Sequence, residues 1–286
     1  MKSSRRICVV VVSYGQNPFL CETYSSLAGQ LGAFNDHDLL IYVRNNGPIY
    51  YDLDFEPSTT HPFVYTQSVG NVSLASIYND AINYRENDFV LIFDQDTHIS
   101  AEYIQSILNN MERNDVDLLI PKIMAKGKQH YPRDKSGVIA SGEYQTMHAR
   151  LTSISSGLMI GRKLIEKFKQ TYSSVFDENF VLYGVDSSFF LRLRHLMKIY
   201  SIKIVCDGEL LHSLSSHEVE ADSVKLFRSC ERLYDLALQL RYYPRLSMIY
   251  LVPRELLKVV LLHKKPSLLL DFFRVAVSGK HPRGNK

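Results

Sequence analysis

The chain has 286 residues, of which 45% are hydrophobic and 22% are charged. These proportions are typical of a folded globular protein and exclude disordered, collagen-like and multi-span membrane proteins. The charge is uneven. Residues 225–286 hold 13 Lys or Arg against 4 Asp or Glu, a net charge of +9, which leaves −6 for residues 1–224 of a chain whose formal net charge is +3. We therefore expect the body and the basic C-terminal part to meet different partners.

The first part of the chain alternates short apolar runs with helix-like patterns. The apolar runs predict strands at residues 7–12, 38–43, 63–66, 89–93 and 118–120. The helix-like patterns cover residues 20–31, 73–84 and 100–111, and Ser100 is the predicted N-cap of the last one. Strands that alternate with helices predict an α/β fold of the Rossmann-like kind, with a mostly parallel sheet and helices on both sides.

The pattern is less regular in the middle of the chain. Residues 122–150 are predicted to form a long loop or a small antiparallel excursion. The elements predicted after it are a strand at 153–160, a helix at 162–171, an extended segment at 175–183, a helix at 186–197 and a strand at 202–205. The last part is predicted to be helical over 223–240, 246–263 and 267–277. We predict a main domain at 1–220 and a basic helical C-terminal extension at 221–286.

Cysteines and apolar runs bear on the cellular compartment. The four cysteines, at 8, 21, 206 and 230, have no CxxC spacing, so we expect free thiols rather than a zinc site or a redox pair. The apolar run near the N-terminus is short for a signal peptide, and no run reaches the roughly 18–20 residues of a membrane span. A cytoplasmic protein, soluble or peripheral on the membrane, is the expectation.

Asp94, Gln95 and Asp96 form the sharpest motif, directly after the predicted strand at 89–93. In parallel α/β sheets ligands bind beyond the carboxyl ends of strands, so both carboxylates are expected to face the cleft. Two carboxylates one residue apart suit a hard cation such as Mg²⁺ or Mn²⁺, which can neutralise a diphosphate. The alternative is a solvated turn in which Asp is only a turn former.

Other candidate segments also follow strands or begin helices. Ser13 and Tyr14 end the first predicted strand and could hold a nucleotide, or they could belong to an ordinary turn. The segment from Asn71 to Asn79 opens a helix, where backbone amides can meet a ligand or simply be capped. No GxGxxG or P-loop pattern is present, so the dinucleotide and ATP fingerprints are missing.

Asp186 and His212, later in the chain, can each be interpreted either as a chemically active residue or as a structural one. Asp186 follows Gly184 and begins a predicted helix, where its ionised form is stabilised; this suits a general base and a helix cap equally. His212, near the end of an apolar run, could be a late metal ligand or a structural histidine.

Taken in order, these segments resemble a known family. The quoted stretches are VVVVSYGQN, IYVRNNG, NVSLASIYN, LIFDQD, ISSGLMIGRK, FVLYGVDSSFFLRLR and LLH. Their order resembles that of the inverting glycosyltransferases of family 2, which have the GT-A fold, and most closely that of bacterial rhamnosyltransferases of surface polysaccharide and O-antigen synthesis. The resemblance covers about residues 7–215.

The resemblance implies roles for individual residues. Ser13, Tyr14 and Asn45 match positions that contact the nucleotide, although the family usually has Asp where Asn45 stands. Asn71, Asn79 and Arg192 match further positions of the nucleotide-sugar site. Asp94 and Asp96 match the DXD motif, with Asp96 as the direct metal ligand and His212 completing the metal site. Asp186 matches the catalytic base. Ser188 and Phe189 depart from the family pattern, near the expected acceptor subsite.

The implied activity is the metal-dependent transfer of a sugar, with L-rhamnose from dTDP-rhamnose as the first expectation, to a glycan or lipid-linked acceptor. Another donor, such as UDP-galactofuranose, UDP-glucose or UDP-galactose, is the alternative within the class. A non-catalytic sugar-nucleotide-binding protein is the alternative outside it. The basic C-terminal helices predict docking on the anionic inner face of the cytoplasmic membrane, or a solvated basic face over a packing surface. Nucleic-acid binding has no supporting motif.

Overall fold

The computed structural model describes residues 4–52, 61–113, 115–144, 150–212 and 222–284. The strands are β1 (Arg6–Ser13), β2 (Asp38–Asn45), β3 (Phe63–Gln67), β4 (Phe89–Asp94), β5 (Thr97–His98), β6 (Leu118–Ala125), β7 (Lys128–Tyr131), β8 (Arg133–Asp134), β9 (Gly137–Val138), β10 (Gly142–Tyr144), β11 (Met159–Gly161) and β12 (Ile204–His212). The helices are α1 (Glu22–Ala28), α2 (Leu74–Tyr84), α3 (Ala101–Glu112), α4 (Arg162–Tyr172), α5 (Val185–Leu196), α6 (Asp222–Tyr242), α7 (Met248–His263) and α8 (Ser267–Ser278).

One large sheet organises the molecule. Its order is β10-β12-β6-β11-β4-β1-β2-β3, with β5 paired to β12 and β7 to β6. The pairs β4–β1, β1–β2, β2–β3 and β6–β12 are parallel, and the short β11 runs antiparallel between β4 and β6. Helices cover the sheet, and the mostly parallel α/β fold predicted from the alternating pattern is confirmed.

The central strand β1 is buried on both faces, which explains its uninterrupted β-branched run. Cys8, Val10 and Val12 belong to a core cluster that includes residues of α2, α4 and α5. Ile7 and the other alternate residues belong to a second cluster, with residues of α1 and α3. The period-two alternation of a strand therefore divides one run of sequence between two cores.

Strand register brings the candidate residues to one edge of the sheet. Ser13 pairs with Asn45 in the parallel ladder of β1 and β2, and Val12 pairs with Asp94 in that of β1 and β4. On the other side, His212 at the end of β12 pairs with Thr97 of β5. Residues far apart in the sequence therefore meet beyond the carboxyl ends of the central strands.

The structure modifies two predictions and decides between the alternatives of a third. The helix predicted at 20–31 ends at Ala28, where Gly29 is the C-cap, and a 3₁₀ turn follows at Leu31–Phe34. The strand predicted at 153–160 is reduced to Met159–Gly161, because Gly157 before it has a φ of +88°. The predicted excursion at 122–150 contains the antiparallel pairs of β6 with β7 and of β8 with β9.

The C-terminal helices pack on the body of the protein. Leu233 and Ala237 of α6 and Phe272 of α8 are buried in the same cluster as Val10 of the central strand. The boundary near residue 220 stays a prediction about domains, because the extension shares its core with the sheet. Within the described ranges, no helix is both long and apolar enough to cross a membrane.

Candidate functional site

Asp94, the last residue of β4, is held by two neighbours. Its Oδ1 accepts a hydrogen bond from the Tyr78 hydroxyl at 2.9 Å, and its backbone N–H donates to Ser156 Oγ at 3.0 Å. Burial raises the pKa of Asp94, and the nearby charge of Asp96 raises it further, while His212 and the Tyr78 hydrogen bond oppose the shift. Asp94 is therefore a fixed carboxylate in the wall of the site.

Asp96 and His212 come together across the edge of the sheet. Asp96 Oδ1 lies 3.4 Å from His212 Nδ1, and the side chain of Asp96 is 34% exposed while that of His212 is 8% exposed. His212 Nδ1 also lies 2.9 Å from Thr97 Oγ1, which in turn lies 2.7 Å from Ser156 Oγ. The buried hydroxyls orient the imidazole, and the carboxylate of Asp96 is the more exposed group of the pair.

This pair fits a cation that receives its other ligands from a substrate. Within the described ranges, no group of three or more His, Cys, Asp or Glu side chains is arranged to hold a metal ion. Mg²⁺ is often bound through one or two protein carboxylates together with substrate phosphates and water, so two protein groups are sufficient. Asp96 and His212 could supply them, whereas Asp94 is already engaged by Tyr78.

The end of β1 is tied to the same loop by Gln95. Gln95 Oε1 accepts hydrogen bonds from Ser13 Oγ at 3.1 Å and from the backbone N–H of Tyr14 at 2.6 Å. The Tyr14 side chain is 47% exposed. The middle residue of the DQD motif thus fixes the two strand ends together, and Tyr14 is free to stack on a flat ligand.

Asn45 is buried, and its amide is used by the protein. Nδ2 donates to the carbonyl of Ile49 at 2.7 Å and to Gln67 Oε1 at 3.2 Å, while Oδ1 accepts from the N–H of Gly47 at 3.1 Å. A carboxylate has no proton to donate to either oxygen. The departure from the family's usual Asp is thus explained by the loop that Asn45 orders, and its contact with a nucleotide stays a prediction.

Asn71 lies in a turn before α2 and has a φ of +46°. Its Oδ1 accepts from Asn46 Nδ2 at 3.2 Å, and Asn46 also bonds both backbone groups of Val72. The carbonyl of Asn71 receives a long, 3.5 Å contact from Arg283, which is ion-paired with Glu231 of α6. The end of the chain thus reaches the turn that carries Asn71.

Asn79 is 3% exposed, and its polar atoms hold a loop. Nδ2 donates to the carbonyl of Phe176 at 2.9 Å and to Glu178 Oε1 at 2.9 Å, and Oδ1 accepts from the N–H of Phe176 at 3.0 Å. These contacts use its amide fully within the protein. Asn79 thereby positions the segment before α5, and direct contact with a nucleotide sugar stays a prediction.

Arg192 is also buried and engaged. It lies 3.1 Å from Asp177, donates through Nε to the Tyr243 hydroxyl at 2.9 Å, and stacks on the ring of Tyr172. The Tyr243 hydroxyl donates to Asp177 as well. This network joins α5 to the preceding loop and to the end of α6. The structure therefore gives Arg192 a structural role, and its place in a ligand site stays a prediction.

Asp186 lies in the first turn of α5 and is largely buried, with a small part of the residue exposed. Its Oδ1 accepts hydrogen bonds from both the backbone N–H, at 3.0 Å, and the hydroxyl of Ser155. Burial raises the pKa of Asp186 from its ordinary 3.8 to about 7, with added contributions from the negative charges of Asp94 and Asp235, while the Ser155 hydrogen bonds oppose the shift. A carboxyl group with a pKa near 7 is suited to accept a proton at neutral pH.

Gly184 makes room beside this helix. Its φ is +90°, and a Cβ there would lie 2.1 Å from Asp235 Oδ1 of α6. The glycine therefore permits both the left-handed turn before α5 and the close approach of a second carboxyl group. Ser188 and Phe189, in contrast, are buried in the core and line no open surface.

Adjacent serines connect the two parts of the site. Ser155 contacts Asp186, and Ser156 contacts Asp94 and Thr97. The structure therefore brings the base candidate next to the DXD segment. Sequence reasoning missed Gln95, Tyr78 and Ser155 as supporting residues, although all three lie within the motif stretches. It also missed Asp177, Tyr243 and Asp235, for which no local signal exists.

Comparison with known proteins places the chain. A model described as glycosyl transferase family 2 matches residues 8–185, which is more than half of the chain. No curated protein sequence matches at a significant level. The structure is similar to the crystal structure of S. aureus TarS, with a TM-score of 0.53 and 13% identity over 96% of this chain and 53% of that chain. The chain thus spans about half the length of TarS.

Two ligand complexes of TarS residues 1–349 are also similar. The complex with UDP-GlcNAc has a TM-score of 0.57 and 14% identity, over 96% of this chain and 80% of that chain. The complex with UDP has a TM-score of 0.51 and 15% identity, over 98% of this chain and 73% of that chain. At this identity the similarity shows a common fold.

Proposed function

Because the chain belongs to glycosyl transferase family 2, we propose that it moves one sugar from a nucleoside diphosphate to an acceptor hydroxyl. The observation that carries this proposal is that the pair of Asp96 and His212 lies close to Asp186. The adjacent residues Ser155 and Ser156 connect them, since Ser155 bonds Asp186 and Ser156 contacts Thr97, which contacts His212. One end of that arrangement can hold a diphosphate, and the other can take a proton. A non-catalytic sugar-nucleotide-binding protein would have no need of a carboxyl group placed, as Asp186 is, beside the DXD segment through Ser155 and Ser156.

The residues divide the chemistry between them. Asp96 and His212 would hold Mg²⁺ or Mn²⁺, which when bound supplies a positive charge against the departing diphosphate; members of the family are often dependent on a divalent metal. Asp186 accepts the proton of the acceptor hydroxyl, and the oxygen attacks the anomeric carbon from the face opposite the diphosphate. A single base with no separate nucleophile gives inversion, by analogy with single-displacement glycosidases. Tyr14, exposed at the end of β1, offers a ring for the base.

The donor is proposed at two levels. A nucleoside diphosphate sugar is supported by the family and by the TarS complexes with UDP-GlcNAc and UDP. Within that class, the motif resemblance favours dTDP-L-rhamnose for surface polysaccharide synthesis, and a UDP-hexose is the second candidate. A screen of the purified protein against dTDP- and UDP-sugars, with Mg²⁺, Mn²⁺ or EDTA, tests both levels. Cation-dependent turnover of one donor supports the proposal, and no turnover or binding of any nucleotide contradicts it.

The cell-membrane surface is the second proposed partner. Three leucines of α7 are exposed on one side of the helix, Leu257, Leu261 and Leu262, and the basic Arg254 and Lys258 lie among them. An apolar stripe beside a basic one is typical of helices that lie on an anionic leaflet. We propose peripheral attachment to the inner face of the cytoplasmic membrane. Cosedimentation with anionic vesicles that weakens with salt supports it, and equal binding to neutral vesicles contradicts it.

A further inference from the structure

Residues 279–284, which follow α8, form a turn that is bonded to α6, and we call this segment the C-terminal clasp. The Tyr242 hydroxyl at the end of α6 donates to the carbonyl of Gly279 at 2.8 Å. Within the clasp, the backbone N–H of Arg283 donates to His281 Nδ1 at 3.1 Å. The clasp therefore has a defined shape, although it lies outside the part of the chain that the family model matches.

A buried carboxylate of α6 anchors the clasp. Glu231 is 3% exposed, and its Oε2 lies 2.7 Å from Arg283 Nη2 and 3.4 Å from His281 Nε2. Arg283 Nε also donates to Glu231 Oε1 at 3.2 Å, so this pair is bidentate. Burial by itself would raise the pKa of Glu231, but the hydrogen bonds and charges of His281 and Arg283 outweigh it and hold the pKa below its usual range. Separating such a buried pair is costly, so the position of the clasp on α6 is fixed.

The third guanidinium nitrogen of Arg283 extends the clasp to another segment. Arg283 Nη1 lies 3.5 Å from the carbonyl of Asn71, in the turn before α2. The guanidinium carbon lies 5.3 Å from the centre of the Phe227 ring, and the side chain of Arg283 is 27% exposed. One side chain therefore joins the clasp, α6 and the turn that carries Asn71.

The turn at Asn71 belongs to the strand-end side of the site. Its φ of +46° is uncommon for a residue other than glycine and depends on the contacts around it. Asn46 supplies one of these contacts through its side chain, and its backbone N–H donates to the carbonyl of Ser13 at 2.7 Å. Ser13 in turn bonds Gln95 of the DQD motif. Arg283 is the contact that reaches this turn from the C-terminal part of the chain.

We propose that Arg283 is a positioning residue of the nucleotide-sugar site, which, anchored by Glu231, holds the Asn71 turn in the shape that receives the donor. The inference rests on the proposed function, because it assigns part of the donor affinity to the clasp. The planar guanidinium bonds Glu231 through two nitrogens while the third reaches a carbonyl. A lysine ammonium keeps the charge but is a single point, so it cannot make all three contacts.

The first test compares Arg283→Lys with the wild type, both as the full chain. We expect little change in thermal stability, because lysine still neutralises Glu231. We expect the dissociation constant for UDP or dTDP and the KM for the donor to rise by about fivefold, the effect of one weak hydrogen bond. The kcat should stay within about twofold of the wild type, because Asp96 and Asp186 are unchanged. Arg274→Lys, at an exposed position on α8, is the matched control and should bind nucleotide as the wild type does.

A double variant, Glu231→Gln with Arg283→Gln, separates positioning from simple neutralisation of charge. It leaves no unpaired charge at position 231 or 283, so an ion pair with no further role predicts wild-type affinity. We expect its nucleotide affinity to stay about fivefold weaker. Wild-type affinity in either variant, or a fall in kcat with an unchanged KM, would overturn the inference. Failure of the proposed function is a different result, because the wild type itself would then bind neither UDP nor dTDP.

Discussion

The strand-end side of the site and the C-terminal helical side are built in different ways. On the strand-end side, short contiguous segments supply the polar groups, as in Asp94, Gln95 and Asp96, and register brings them together. On the helical side, Ser155 bonds Asp186 and Asp235 lies against Gly184, so three distant segments meet at the start of α5. The first side is suited to hold a diphosphate, and the second to receive an acceptor. We therefore expect substitutions on the two sides to affect different steps.

The largest expected effect is that of Asp186→Asn on transfer. The amide keeps the size and can still accept from Ser155, but it cannot take a proton, so transfer should fall by about 10²–10⁴-fold. Asp36→Asn, at an exposed position, serves as the control. Initial rates of sugar transfer measure the effect. Near-normal transfer by folded Asp186→Asn would contradict the role of base and leave Asp186 with only a structural role at the start of α5.

Asp96→Ala tests the other side. Removing the carboxylate that faces His212 should lower donor turnover by about 100-fold or more, because stabilising the departing diphosphate is worth several kcal/mol. Excess EDTA should have a similar effect on the wild type and little further effect on the variant. Full wild-type activity in EDTA would remove the proposed role of a metal.

The pH dependence of transfer should be smaller. The pKa of Asp186 is raised to about 7, so its ionised, proton-accepting form is lost as pH falls, and the rate should drop about tenfold from pH 8 to pH 6. Stability should change in the opposite direction. The folded-state pKa is above the unfolded value of 3.8, so the contribution of Asp186 to stability falls as pH rises between 3.8 and about 7.

Because the transfer rate and the stability change in opposite directions with pH, a loss of the ionised base can be distinguished from unfolding. A loss of transfer at pH 6 with undiminished thermal stability is the expected result. A flat rate between pH 6 and pH 8, under conditions in which chemistry limits the rate, would contradict the assignment of the base.

The smallest expected effect concerns Asn45→Asp. The carboxylate would face the carbonyl of Ile49 and Gln67 Oε1 without a proton to donate, and the free energy of unfolding should fall by about 1–3 kcal/mol. Asn109→Asp, at an exposed position whose Oδ1 only accepts, should change it by about 0.5 kcal/mol or less. Urea denaturation measures both. If Asn45→Asp is as stable as the wild type, Asn45 does not stabilise the loop, and ligand binding is its remaining proposed role.

The same comparison explains how much of the molecule could be predicted. The fold followed from strand runs such as residues 7–12, because a sheet covered on both faces needs continuous apolar sequence. Asp94 and Asp96 could be predicted as site residues because they form a short motif directly after a strand, which is visible in the local sequence. The contacts of Arg192 with Asp177 and Tyr243 were not readable, since the partners lie on separate segments and only tertiary packing unites them.

The most direct test of the division between the two sides is the affinity of Asp186→Asn for the nucleoside diphosphate of its donor, UDP or dTDP. Titration calorimetry with Mg²⁺ present gives this affinity on the same preparation whose transfer rate is measured. We predict a dissociation constant within about threefold of wild type, because Asp186 contacts Ser155 and not the strand-end loop that holds Asp96. A loss of nucleotide affinity as large as the loss of transfer would contradict the division.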